Sequence, residues 1–278
     1  MLALFIAFLI AAQVPQGPPP PPQPVLAPRA AAPFDPTGYW ASAVTEDWQW
    51  RFVTPAKGDF IAVPLNTEGD KLAKAWDPDA DVRNGNQCKP FGAAAIFRLP
   101  TRVHITWVDD STLKMDFDLG TQSRTVYFDK SKPLGERTWQ GHAIGQWIDV
   151  PPPQPPRGGT ADDPSARRGA APEAGGRGAA RNQIGGLKIV TTNIRAQYLR
   201  MNGVPVSEKA VVTDYVDRVP GPDGAEWLIV KTIVDDPTYM SQPYITSSQF
   251  KREPDASKWN PTPCELLPRV NQAAPLGR

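Results

Sequence analysis

The side chains that could do chemistry here are few. There are two histidines, His104 and His142, and two cysteines, Cys88 and Cys264. His142 falls in a run of alternating apolar and polar residues, and Arg124, Thr192, Asn193 and Asp214 fall in or beside other such runs. If these runs are neighbouring strands with a common inward face, the five residues form a polar ligand site. Arg124 would then anchor an anionic group, His142 would switch a hydrogen bond, Asn193 would orient the ligand and Asp214 would supply the counter-charge. The competing reading is an internal network that fixes strand register, because buried polar groups must find partners. His104 alternates with Val103 and Ile105, which places it opposite their apolar side, as a surface or lumen polar residue.

Other chemistries lack their signatures. No Gly-x-Ser-x-Gly elbow occurs, and two histidines allow few triads. No glycine-rich phosphate loop precedes a helix, and no His or Cys pair has zinc spacing. Asp77, Asp79 and Asp81 have the spacing of a calcium loop, but Val82 stands at the required glycine and Cys88 at the bidentate glutamate. That stretch reads as a solvated acidic loop. No catalytic residue, metal or cofactor is therefore assigned. The enzymatic alternative is a hydrolase or isomerase pairing His142 with a carboxylate.

The elements that must position these residues read as strands. In "TLKMDFDLG", Leu113, Met115, Phe117 and Leu119 point one way and Lys114, Asp116 and Asp118 the other. "RVHITWV" before it and "QSRTVYF" after it complete a three-stranded meander. Further strands are expected over residues 39–45, 48–54, 139–148, 187–194, 210–218, 227–234 and 245–251, with "PGPDG" as a hairpin turn. In the 48–54 strand, Trp48 and Trp50 share a face opposite Arg51; core packing is the favoured role for such rings, and stacking a flat or sugar-like ligand is the alternative. One helix is expected over residues 69–76, capped by Asn66 or Thr67 and stopped at Asp77-Pro78. About ten strands and one short helix imply an all-β fold: an antiparallel β-barrel or strongly curved meander, since closure removes edge strands.

The rest of the chain sets the context. Residues 1–14 begin with an uncharged apolar run, too short to span a bilayer and suited to an export signal. Residues 15–33 form a proline-rich tether, 34–268 a single β domain and 269–278 a tail. Within the domain, residues 151–185 are a Pro/Gly/Arg insert that cannot build a core and is expected to be disordered. Its surroundings, residues 139–148 and 187–194, read as paired strands, so it belongs at a hairpin tip, where extra length costs little. The net charge of +1 argues against nucleic acid as a main partner. In an exported chain Cys88 and Cys264 are expected to form a disulfide; two buried thiols are the alternative. The mature chain has no span, and the expected location is periplasmic or extracellular.

Several words of this sequence resemble a large group of uncharacterised exported bacterial proteins. In that group a Gly-His-Ser-x-Gly-x-Trp strand turns tightly into a Leu-x-Val-x-Thr-Thr-Asn strand. The matching residues are Gly141, His142, Gly145 and Trp147, then Leu187, Thr191, Thr192 and Asn193, with the insert in place of the tight turn. Cys88-Lys89-Pro90-Phe91-Gly92, Arg124-Thr125 and Asp235-Asp236-Pro237 also match, and the likeness covers residues 37–264. It implies export and topology but no activity. One departure stands out: the group often places His-Glu after the last cysteine, where this chain has Glu265-Leu266. A fainter likeness to lipocalins rests on Gly38-Tyr39-Trp40. The expected function is binding of a small, partly apolar ligand in the barrel or its mouth. An envelope interaction protein, acting through the insert or tether, is a further alternative.

Overall fold

The computed structural model describes residues 26–149, 185–221 and 224–268. Its strands are β1 (Gly38–Ala43), β2 (Arg102–Asp109), β3 (Thr112–Phe117), β4 (Gln122–Tyr127), β5 (His142–Asp149) and β6 (Gly185–Thr192), followed by β7 (Gln197–Arg200), β8 (Val204–Val206), β9 (Val211–Pro220), β10 (Glu226–Asp235) and β11 (Tyr244–Glu253). Nine of them close into a barrel in the order β1-β11-β10-β9-β6-β5-β4-β3-β2, while β7 and β8 pair separately. The all-β barrel expected from the alternation is therefore present. A ring with an odd number of strands cannot alternate direction all the way round, so one contact must be parallel. That contact is β4–β5, with Val126 opposite Ala143 and Tyr127 opposite Ile144. It departs from the purely antiparallel expectation, and residues 128–141 supply the crossover that parallel neighbours require.

Side-chain alternation builds the core as the sequence pattern implies. Leu113, Met115 and Phe117 of β3 face inward with Val103 and Ile105 of β2, Leu187 and Ile189 of β6 and Val230 of β10. The space they enclose is filled from within. Residues 90–99 are all buried and insert Phe91, Ile96, Phe97 and Leu99 into the same core. This plug is built of two 3-10 turns, Lys89–Phe91 and Ile96–Arg98. Between them Gly92 allows an approach no side chain would tolerate: a Cβ there would lie 2.0 Å from Gln197 Oε1. A second cluster joins Ala93 and Ala94 to Leu199, Val204 and Val206 of the β7–β8 pair and to Val212 and Val234.

Helices sit where local chemistry starts them. In α1 (Trp48–Arg51), Phe52 N–H closes the turn on Trp48 O at 2.9 Å. This corrects the strand expected at 48–54. Asp47, at φ 54°, breaks the extended path, and the buried side chain is Arg51, while Trp48 lies 62% exposed. Tertiary bonds decide the outcome: Arg51 Nε donates to Arg98 O at 2.7 Å. The expected helix is α2 (Thr67–Ala75), capped by Asn66 Oδ1, which accepts from Gly69 N–H at 2.9 Å. A third helix, α3 (Pro78–Arg83), replaces the acidic loop: Asp77 Oδ1 caps Asp79 and Ala80 N–H at 3.0 and 3.2 Å, with Pro78 in the first turn.

The insert leaves and returns between paired residues, Asp149 opposite Gly185. Residues 150–184 lie outside the described residues, as do residues 1–25 and 269–278. Residues 26–33, assigned above to the tether, pack on the domain: Trp147 Nε1 donates to Pro28 O at 2.7 Å and Arg29 N–H to Asp110 O at 2.9 Å. A half-buried indole N–H gains an acceptor here, and the proline-rich segment supplies it. Because β4 and β5 run parallel, Asp149 lies at the same end of the barrel as the β2–β3 turn. Gly120, in the β3–β4 turn, marks the opposite end.

Candidate functional site

The five residues predicted to cluster divide between two faces. Arg124 on β4 and Asp214 on β9 point into the barrel and are fully buried, with Nη1 2.8 Å from Oδ2. Around them the structure gathers residues the sequence did not suggest. Gln140 Oε1 accepts from Arg124 Nε at 3.0 Å, Ala93 O accepts from Nη2 at 3.2 Å, and Thr232 Oγ1 donates to Asp214 Oδ1 at 2.5 Å. Gln140 Nε2 in turn donates to Phe91 O at 2.7 Å. Phe97 and Phe117 cover the guanidinium at 5.2 and 6.0 Å. Burial lowers the Arg124 pKa and raises that of Asp214, and their contact opposes both shifts. Each guanidinium nitrogen already has a protein partner, so this group latches the plug to the wall and offers no place for an anion.

His142, Thr192 and Asn193 lie elsewhere. Ala143 opposite Thr191 takes the inward positions, and His142 opposite Thr192 takes the outward ones. The imidazole stacks on Tyr127 at 5.6 Å, and among the described residues no carboxylate bonds it. Asn193, at φ 52°, donates from Nδ2 to Gly135 O at 2.9 Å and holds the crossover loop. The inward-facing cluster of five is thus corrected to a two-residue ion pair inside and three residues outside. The period of two accounts for Thr192: Thr191 has the inward phase and Thr192 beside it the outward one. Asn193, one residue past the end of β6, escapes that alternation because its φ of 52° breaks the extended path.

A groove lies outside the filled barrel, near the plug. It measures about 640 Å3 and runs between Trp76 and α3 on one side and residues 264–268 on the other. Cys88 and Cys264 form a disulfide that ties this C-terminal strap to the chain just before the plug. Beyond the disulfide, Pro268 O accepts from Thr54 N–H at 2.9 Å and Leu267 O from Thr54 Oγ1 at 2.5 Å. Asp81 organises the wall: its carboxylate accepts from Trp76 Nε1 at 3.2 Å, Tyr198 Oη at 2.7 Å and Lys89 Nζ at 3.0 Å. Burial, with help from Asp81, holds the Tyr198 phenol well above its ordinary range, so it acts as a hydrogen-bond donor. Leu266, Leu267 and Val82 add apolar surface, while exposed Asp79 and Glu265 carry the negative charge of the rim. The surface is fixed, apolar in part and without a nucleophile–base pair.

Nothing in the local pattern around Trp76, Tyr198 or Leu266 marks them as one site. They meet only because the disulfide and the β7–β8 pair fold back over the plug. No family model matches the chain, and no curated protein and no solved structure matches it either.

Proposed function

We propose that this is an exported, non-catalytic protein that binds a small, partly apolar molecule in the groove beside the plug. The apolar start of the chain and the Cys88–Cys264 disulfide support delivery to an oxidising compartment, the periplasm or the cell exterior. No helix among the described residues is long and apolar enough to cross a membrane. The observation that carries the reading is the groove: its volume falls in the range of small-molecule sites, and its aromatic wall is held by two bonds to Asp81, from Trp76 and Tyr198. The rim charges of Asp79 and Glu265 favour a ligand with a positive group or several donors. The enzymatic reading through His142 has no comparable support.

Native mass spectrometry of protein purified from its own host tests this. Val82 is 63% exposed and lines the groove, so Val82→Trp blocks it without touching the core. The wild type is expected to carry an adduct that V82W loses by about tenfold, the scale of ~1.4 kcal/mol. Equal adduct occupancy in both proteins, or no adduct on either, contradicts the proposal.

A further inference from the structure

A second cleft, of about 260 Å3, lies on the outer wall of the barrel. Its floor is His104, Asp116 and Ser123, directly opposite one another on adjacent strands, and Tyr39 continues the row just outside the cleft, facing His104. Such neighbours stand about 5 Å apart on one face of a sheet. Tyr39 and His104 use that spacing to stack, with centroids 4.0 Å apart and planes within 2°. Trp259 approaches both, at 5.8 and 6.2 Å, tilted 66° and 68°. Similar distances to two stacked rings place the indole beside the stack rather than on top of it. Trp259 therefore stands as a wall, and the strap that carries it is pinned: Thr262 N–H donates to Asp118 O at 2.9 Å, and Thr121 Oγ1 donates to Thr262 O at 2.8 Å.

The cleft joins an aromatic wall to a polar floor. Asp116 supplies a carboxylate, Ser123 a hydroxyl and Gln122 an amide whose Nε2 is oriented by Gly120 O at 2.8 Å. An apolar ligand would strip water from these groups and return no hydrogen bonds. A pyranose ring fits both surfaces, with its C–H face against the indole and its hydroxyls toward the floor. The volume sits below the roughly 300 Å3 at which drug-sized pockets begin, which suits a single ring. Lys114 lies 3.0 Å from Asp116, so this cation is already paired, and the Asp116 carboxylate would repel an acidic sugar. We propose that this cleft binds one neutral hexose unit, independently of the groove beside the plug.

Saturation-transfer NMR on the full chain, with glucose, galactose, mannose and N-acetylglucosamine as probes, tests the site. At least one of the four is expected to receive saturation at its ring protons. Trp259→Ala should weaken that sugar by about tenfold or more, a loss of ~1.4 kcal/mol. Ser123 is exposed, so Ser123→Trp fills the cleft without disturbing the fold and decides the matter should W259A fail to fold. The V82W protein should bind the sugar as the wild type does. Absence of transfer to all four sugars, or equal transfer in the wild type and S123W, overturns the proposal, whatever becomes of the other groove.

Discussion

Arg124 uses all three of its nitrogens on protein acceptors, two of them in the crossover loop and the plug. That is the arrangement expected of a group that specifies structure. A buried ion pair contributes little net stability compared with an apolar pair of the same volume, but breaking one half strands a charge. Arg124→Met should therefore cost about 3–5 kcal/mol in urea unfolding, because Asp214 is left buried without its partner. The double replacement Arg124→Met with Asp214→Leu should recover most of that loss. If the single replacement is neutral, the latch is not what fixes the plug. The residue scale also shows what the sequence concealed. Arg124 and Asp214 were expected to face inward, but in company with His142, Thr192 and Asn193, which do not. Gln140 and the carbonyls of Ala93 and Phe91 were not recognisable, because loops carry no periodicity; Thr232 stands in a strand, but only the register that sets it opposite Asp214 reveals its role.

At the scale of elements, the meander of β2, β3 and β4 was legible because Leu113, Met115 and Phe117 keep one phase throughout. The same rule misled at Trp48 and Trp50. There, two-residue alternation of large rings reads as a strand, yet the left-handed turn at Asp47 and the bond from Arg51 to Arg98 O wind it into a helix. The third helix did leave a signal: Asp77-Pro78 is an N-cap followed by a first-turn proline, a pair that also reads as a turn. The break between β5 and β6 was read as a hairpin tip, and Asp149 opposite Gly185 places it there. Replacing residues 150–184 with Asn-Gly should therefore keep the fold and stabilise it by about 2 kcal/mol, since closure entropy grows with the logarithm of loop length. Thermal and urea unfolding measure this. Loss of cooperative folding would mean that the two strands do not pair as described.

For the molecule as a whole, the ends of the barrel are unlike. One end carries the β2–β3 turn, the packed residues 26–33 and the junction with the insert. The other carries the plug, the β7–β8 pair, the helices and the strap. Every wall of the larger groove belongs to this second end, so the groove should be indifferent to deletion of the insert. It depends instead on the disulfide, whose partners are 176 residues apart. Closing so long a loop raises the free energy of the unfolded chain by about 5 kcal/mol in the chain-entropy model and also holds the strap against the plug. Cysteine count and context were enough to expect that bond. The groove it builds was not foreseeable, because Trp76, Tyr198 and Leu266 come from three distant parts of the chain and meet only after folding.

A filled barrel interior leaves the proposed ligand outside it, between the strap and Trp76. The most direct measurement is a crystal structure of the protein purified from its own host, read for electron density that belongs to neither protein nor buffer. Density is expected against Tyr198 and Leu266, beside Cys264, with Phe91 and Phe97 still inside the barrel. Density in the interior around Arg124, with the plug displaced, would contradict that placement.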